Sequence, residues 1–168
     1  MSRTLLFALL SLALTACGGV LPDGFEADLT EVCAANYIGG AGDLDLYAQD
    51  SAATVSMWVS LPGALDGLEE DVASSTTLTV DDGLVVHVTT GRNLREPCSD
   101  LAMNEVQLGH YVATAGTASA DLEPWEDDGE PTWLATVTLT DVTLEPEEGG
   151  DPVELPSFTF DAVEVWER

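Results

Sequence analysis

Beyond residue 27 the chain alternates apolar and polar side chains with a period of two, and valine and threonine carry much of the alternation. That period predicts β-strands, because successive side chains of an extended chain point to opposite faces. Within 53–61 it places Val55, Met57, Val59 and Leu61 on one face and Thr54, Ser56, Trp58 and Ser60 on the other. Trp58 alone breaks the polar side. The expectation is a rim tryptophan half covered by a neighbouring loop, with a ligand platform as the alternative.

Residues 76–89 predict a hairpin. A two-residue turn at Asp82-Gly83 would set Val80 opposite Val85 and split the apolar side chains between both faces. A three-residue loop, Asp81-Asp82-Gly83, instead sets Val80 against Leu84 and Leu78 against Val86, with Val88 on the same face. Gly83 then falls where the turn needs a left-handed residue. This register sends His87 outward among threonines. In 105–123, Val106, Leu108 and Val112 keep one phase, which Ala118, Ala120 and Leu122 continue, and Gly109 and Gly116 mark bulges or a sharp bend. On that phase His110 points inward, as a hydrogen-bonded core histidine.

The last two strands carry the clearest register. Pairing residues whose numbers sum to 297 sets Val137 opposite Phe160, Leu139 opposite Phe158, Val142 opposite Leu155 and Leu144 opposite Val153. In both strands the apolar parity switches at one level, near Thr140-Asp141 and Pro156-Ser157, as expected where a hairpin bends around a core. Pro156, lacking a backbone donor, suits an edge or a bulge there. Val163, Val165 and Trp166 shift parity once more, which predicts a strong twist or a further bulge in the last strand. About eight or nine antiparallel strands, with room for no more helix than a turn in 65–72, predict an all-β sandwich or flattened barrel. No solenoid or propeller repeat is visible.

The first 17 residues read differently. Arg3 precedes an unbroken apolar run over 5–10, and Leu14-Thr15-Ala16-Cys17 follows it. A charged start, a short apolar core and small residues before a cysteine form an export signal, too short to span a bilayer. The ending resembles the lipobox of bacterial lipoproteins. That resemblance covers about the first tenth of the chain and implies cleavage before Cys17, acylation of Cys17 and a lipid-anchored cell-envelope protein. In that family an Asp after the cysteine marks inner-membrane retention in enteric-type bacteria, and Gly18 stands here instead, which favours the outer membrane. The expected organisation is a signal peptide over 1–16, an acylated Cys17 and short tether over 17–26, and one all-β domain over 27–168.

Composition narrows the partners. Cleavage would leave three arginines (Arg92, Arg95 and Arg168) against 31 acids, a net charge of −28, and the chain has no lysine. Neither nucleic acid nor anionic lipid head groups are expected partners, since each needs a basic face. The acidity reads first as a soluble, self-repelling surface. Cys33 and Cys98, in an oxidising compartment, are expected to form one disulfide. Their spacing corresponds to about 4.3 kcal/mol in the chain-entropy model, an upper figure because native strain is ignored.

Catalytic motifs are absent: no Gly-x-Ser-x-Gly elbow, no HExxH and no close histidine pair, while Gly39-Gly40-Ala41-Gly42 lacks the lysine of a phosphate cradle. The expectation is a noncatalytic binding or structural module without a cofactor, held at the membrane by its lipid, with a protein or glycan partner. The alternative is a calcium-assisted carbohydrate or protein binder using the acidic loop over 123–131. There Glu126, Asp127, Asp128 and Glu130 are the candidate metal ligands, and Trp125 and Trp133 the candidate platform for a sugar ring. A second acidic loop spans 145–151. A hydrolase is the third reading, because 31 acids supply carboxylate pairs at many separations.

Overall fold

The computed structural model describes residues 21, 29–35, 42–69, 71–95, 104–127 and 130–165. Cys17, Cys98 and the leader expected over 1–16 lie outside the described residues. Eight strands are described: β1 Leu29–Ala35, β2 Leu44–Asp50, β3 Val55–Leu61, β4 Ser74–Thr79, β5 Val85–Arg92, β6 Val106–Asp127, β7 Glu130–Pro146 and β8 Val153–Val165. They form one all-antiparallel sheet in the order β1-β2-β3-β5-β6-β7-β8, with β4 bonded to β6. The sheet curls into a half-barrel. Residues of β1 and β8 line a common cleft where the two ends of the sheet approach, and no ladder joins them among the described residues.

The core fills the inside of the curl. Leu46 of β2, Val59 of β3, Val86 of β5, Ala120 of β6, Leu139 of β7 and Phe160 of β8 are all fully buried in one cluster. This is what the period of two requires: one face of each strand is removed from water, at about 1.5–3 kcal/mol for each large apolar side chain. Leu21, inside the expected tether, joins the cluster at 6% exposure, and its N–H donates to the Tyr111 hydroxyl. Domain packing therefore reaches back into 17–26.

The expected pairing of the last two strands is found residue for residue: Val137 faces Phe160, Leu139 faces Phe158, Val142 faces Leu155 and Leu144 faces Val153. Asp141, at the parity switch, has φ 52°. Of the twist or bulge expected near the end of β8, a bulge is found, as a register shift between Ala135 and Val137, with Ala162 at φ 49°.

The hairpin expected over 76–89 does not form. β4 and β5 pair with different stretches of β6, Thr79 with Thr117 and His87 with Val112, so they run as one broken line along a single edge of β6. Between those pairs the line advances eight residues against five on β6, three extra. A 3-10 turn, Val80–Asp82, takes up the excess. Thr79 donates from both N–H and Oγ1 to the Asp82 carboxylate, and Gly83, at φ 101°, returns its N–H to the Val80 carbonyl. The turn residues were well chosen for a turn; the chain simply does not reverse there.

The phase assumed for 105–123 also fails. Tyr111 and Ala113 are buried, whereas Val106 and Leu108 are 48% and 38% exposed, so Leu108, His110 and Val112 lie on the outer parity of β6. Beyond Gly116 the parity inverts, and Ala118, Ala120 and Leu122 face the core. Gly116 has φ 135°, and a Cβ there would stand 2.8 Å from Cγ2 of Val142. Only glycine permits both that backbone and that approach.

Candidate functional site

Because β4 is displaced along β6, β5 lies directly between β3 and β6. That puts one row of side chains across the outer face of the sheet: Cys33 faces Tyr47, Tyr47 faces Trp58, Trp58 faces His87, and His87 faces Val112. In the next row Ser56 faces Thr89, and Thr89 faces His110. The rings interlock, Trp58 and His87 directly across a ladder and His87 and His110 on the diagonal. Trp58 and His87 meet edge to face with centroids 5.2 Å apart, and His87 and His110 do so at 5.0 Å. Such contacts add about 0.5–1.5 kcal/mol each beyond burial.

Both ends of this stack are anchored by carboxylates. Trp58 donates its indole N–H to Asp45 Oδ1 at 3.1 Å, and Asp45 is itself only 5% exposed on β2. His110 Nδ1 lies 3.0 Å from Glu147 Oε2, while the Glu147 N–H donates to the His110 carbonyl. The sequence thus Asp45, Trp58, His87, His110, Glu147 runs from β2 to the connection after β7. Burial holds the His87 imidazole below its ordinary pKa of 6.5; the neighbouring His110 acts in the same direction and Glu147 opposes both. A half-buried imidazole beside another imidazole takes up a proton less readily than a free one, so the neutral form of His87 predominates at pH 7.

A half-open cavity of about 410 Å³ lies over these rings, lined by Tyr47, Ser56, Met57, Trp58, His87, Thr89, Arg95, Glu105, Gln107 and His110. Its rim is built from the segment after β5. Leu94 donates its N–H to the Ala53 carbonyl, and Gln49 of β2 donates to the carbonyls of Leu94 and Arg95, which brings Arg95 to the cavity. On the other side Gln107 donates to Glu105 at 2.7 Å.

His87 is outward as expected, but it stands in a ring stack instead of among threonines alone. His110 is outward, not inward, because β6 inverts its faces at Gly116. Trp58 is half-buried, with its ring in edge contact with that of His87. Sequence reasoning missed Tyr47, Asp45 and Glu147 as site residues. The available signal was Trp58 and His87 on the polar parity of their strands; the assumed β4–β5 hairpin would have set β4 between them.

The site expected over 123–131 is not assembled as a loop. β6 continues to Asp127 and β7 begins at Glu130, with Asp127 facing Glu130, so this stretch is a strand ladder. Glu126 is exposed, and the side chains of Asp127, Asp128 and Glu130 lie outside the described set. Among the described residues no group of three His, Cys, Asp or Glu side chains is placed to hold a metal ion. Trp133 faces Pro124 and is buried at 6%, whereas Trp125 faces Thr132 and is 51% exposed. Adjacent ladder positions point to opposite sides, so the two tryptophans do not share a platform. In the second acidic loop, Glu147 is drawn to His110. Cys33 is half-buried on β1.

No protein-family profile, no curated protein and no solved structure matches this chain.

Proposed function

We propose that the chain is a lipid-anchored, noncatalytic binding module of the cell envelope, at the outer membrane, and that the cavity over β2, β3, β5 and β6 receives its ligand. The observation that carries the binding reading is the placement of Tyr47, Trp58, His87 and His110 on the face turned away from the core. Core packing does not call for rings there, and a volume of about 410 Å³ is in the range of small-ligand sites. The noncatalytic reading is supported by the commitments of both imidazoles. His87 is held between ring edges, and His110 by a ring edge and Glu147.

The anchor rests on the Leu14-Thr15-Ala16-Cys17 resemblance. From Cys17 to the buried Leu21 is four residues, at most about 14 Å of extended chain, so the tether holds the domain against the bilayer surface. The Cys33–Cys98 disulfide belongs to the same reading. Gln49, on the strand beside Cys33, binds the Arg95 carbonyl three residues before Cys98.

Detergent phase partitioning tests the anchor. The full chain should enter the detergent phase and the Cys17→Ser variant the aqueous phase; unchanged partitioning overturns the anchor. A small-molecule fragment screen followed by NMR at Trp58, His87 and His110 tests the cavity. If no fragment perturbs those signals, the binding reading falls.

A further inference from the structure

We infer that the cavity takes a neutral saccharide, one or two sugar rings of an uncharged glycan; this rests on the binding reading above and names its ligand class.

The argument starts with charge. A chain of net charge −27 repels anionic ligands at a distance. It would favour cations, but of the residues lining the cavity only Glu105 is a carboxylate, and Arg95 lines it too. Asp45 accepts the Trp58 indole N–H, Glu147 is bonded to His110 Nδ1, and Glu105 accepts from Gln107. The lining thus carries one cation and one anion, and otherwise presents rings and neutral hydrogen-bonding groups.

Those two features suit one chemistry. The C–H face of a pyranose is apolar and packs on an aromatic ring, while its rim of hydroxyls both donates and accepts. Trp58 and Tyr47 supply rings. The Ser56 and Thr89 hydroxyls and the Gln107 amide line the same space, each able to donate and accept. Neutral His87 adds one donor and one acceptor nitrogen without a charge that must be desolvated. The indole is held by Asp45 before any ligand arrives, so little ordering is lost on binding. A purely apolar ligand would leave these polar groups unpaired, which costs affinity.

The test uses the full chain in polyoxyethylene micelles, which carry no sugar head group. Maltose, cellobiose and N,N′-diacetylchitobiose are the neutral probes; glucuronate, tetramethylammonium and indole are the comparison set. The expected result is saturable shifts at the Trp58 indole and the His87 and His110 imidazoles with at least one neutral disaccharide. Trp58→Ala should weaken that binding about tenfold or more, as loss of a central aromatic contact does. Trp58→Phe should retain most of it, and Trp125→Ala should leave it unchanged. Gln107→Ala, at an exposed position that cannot compromise the core, should weaken it severalfold. Saturable shifts with the comparison set alone overturn the saccharide and leave the binding site standing. Shifts with none of the six overturn both. Saccharide binding lost in Trp125→Ala but kept in Trp58→Ala also overturns the proposal.

Discussion

β6 inverts its faces at Gly116, and its two neighbours answer that inversion by different devices. On the β7 side the partner inverts as well. Ala113 faces Leu144 before the bend and Ala118 faces Leu139 after it, buried residue against buried residue, and β8 follows with Phe158 and Leu155. On the other side the line of β4 and β5 keeps its parity. Leu78 and Val88 both turn toward the core, and an odd offset of three residues, taken up by the 3-10 turn, restores buried against buried. The difference teaches what the curl demands. Apolar faces must match across every ladder, and a strand meets that demand either by bulging in step or by inserting an odd number of residues.

The largest effect should come from removing the cause common to both sides. Gly116→Ala places a Cβ 2.8 Å from Cγ2 and 2.9 Å from Cα of Val142, at φ 135°. Overpacking and backbone strain together should cost about 4 kcal/mol, read as a lowered urea midpoint with an unchanged slope. If the midpoint does not move, the inversion does not depend on glycine.

The in-step device is probed at Asp141, exposed and at φ 52°. Asp141→Val puts a β-branched side chain in the left-handed region and should cost about 2 kcal/mol, whereas Asp141→Asn should be nearly neutral. Equal midpoints for the two variants would show that β7 does not store its inversion there. The inserted device is probed at Thr79, whose hydroxyl donates to Asp82 Oδ2 at 2.7 Å. Thr79→Val should cost about 1 kcal/mol, the usual loss of a side-chain cap. A cost as large as that of Gly116→Ala would mean the 3-10 turn, and not the bulge, drives the bend.

The smallest effect is pH-dependent and reports on the outer face that this arrangement exposes. His87 has its folded pKa lowered below 6.5, so as pH falls below 6.5 the unfolded chain takes up a proton that the folded one resists. Stability is therefore unaffected by this group above 6.5 and is lost progressively as pH falls through the folded pKa. His87→Gln should remove that part of the pH dependence, measured as the difference between the two proteins' urea midpoints at pH 7.5 and 5. His110, Glu147, Arg95 and Glu105 share the site and remain in both, which is why the difference is the quantity to read. Identical pH profiles would place His87 in water.

Much of this is open to a reading of the sequence, and the failures have two origins. The β7–β8 register could be read because the strands are neighbours in sequence and each carries its own parity switch, at Asp141 and near Pro156. Trp58 and His87 could likewise be assigned to polar parities. What pairs with β5 was not legible locally. Asp81-Asp82-Gly83 satisfies a reversing turn and a 3-10 offset equally well, and the choice between them lies in β3 and β6, which compete for the edges of β5. The mistaken hairpin separated Trp58 from His87, and the unrecognised inversion at Gly116 sent His110 inward. Those two errors concealed the ring stack.

The Val80–Asp82 turn also gives this stretch of chain something like a reading frame. Lengthening or shortening it by two residues would leave every side chain of β4 on its present side of the sheet. A change of one would exchange Leu78 for Thr77 and Thr79 against the core and undo β4 as a whole. Length variation at this turn should therefore be tolerated in steps of two, whatever residues compose it.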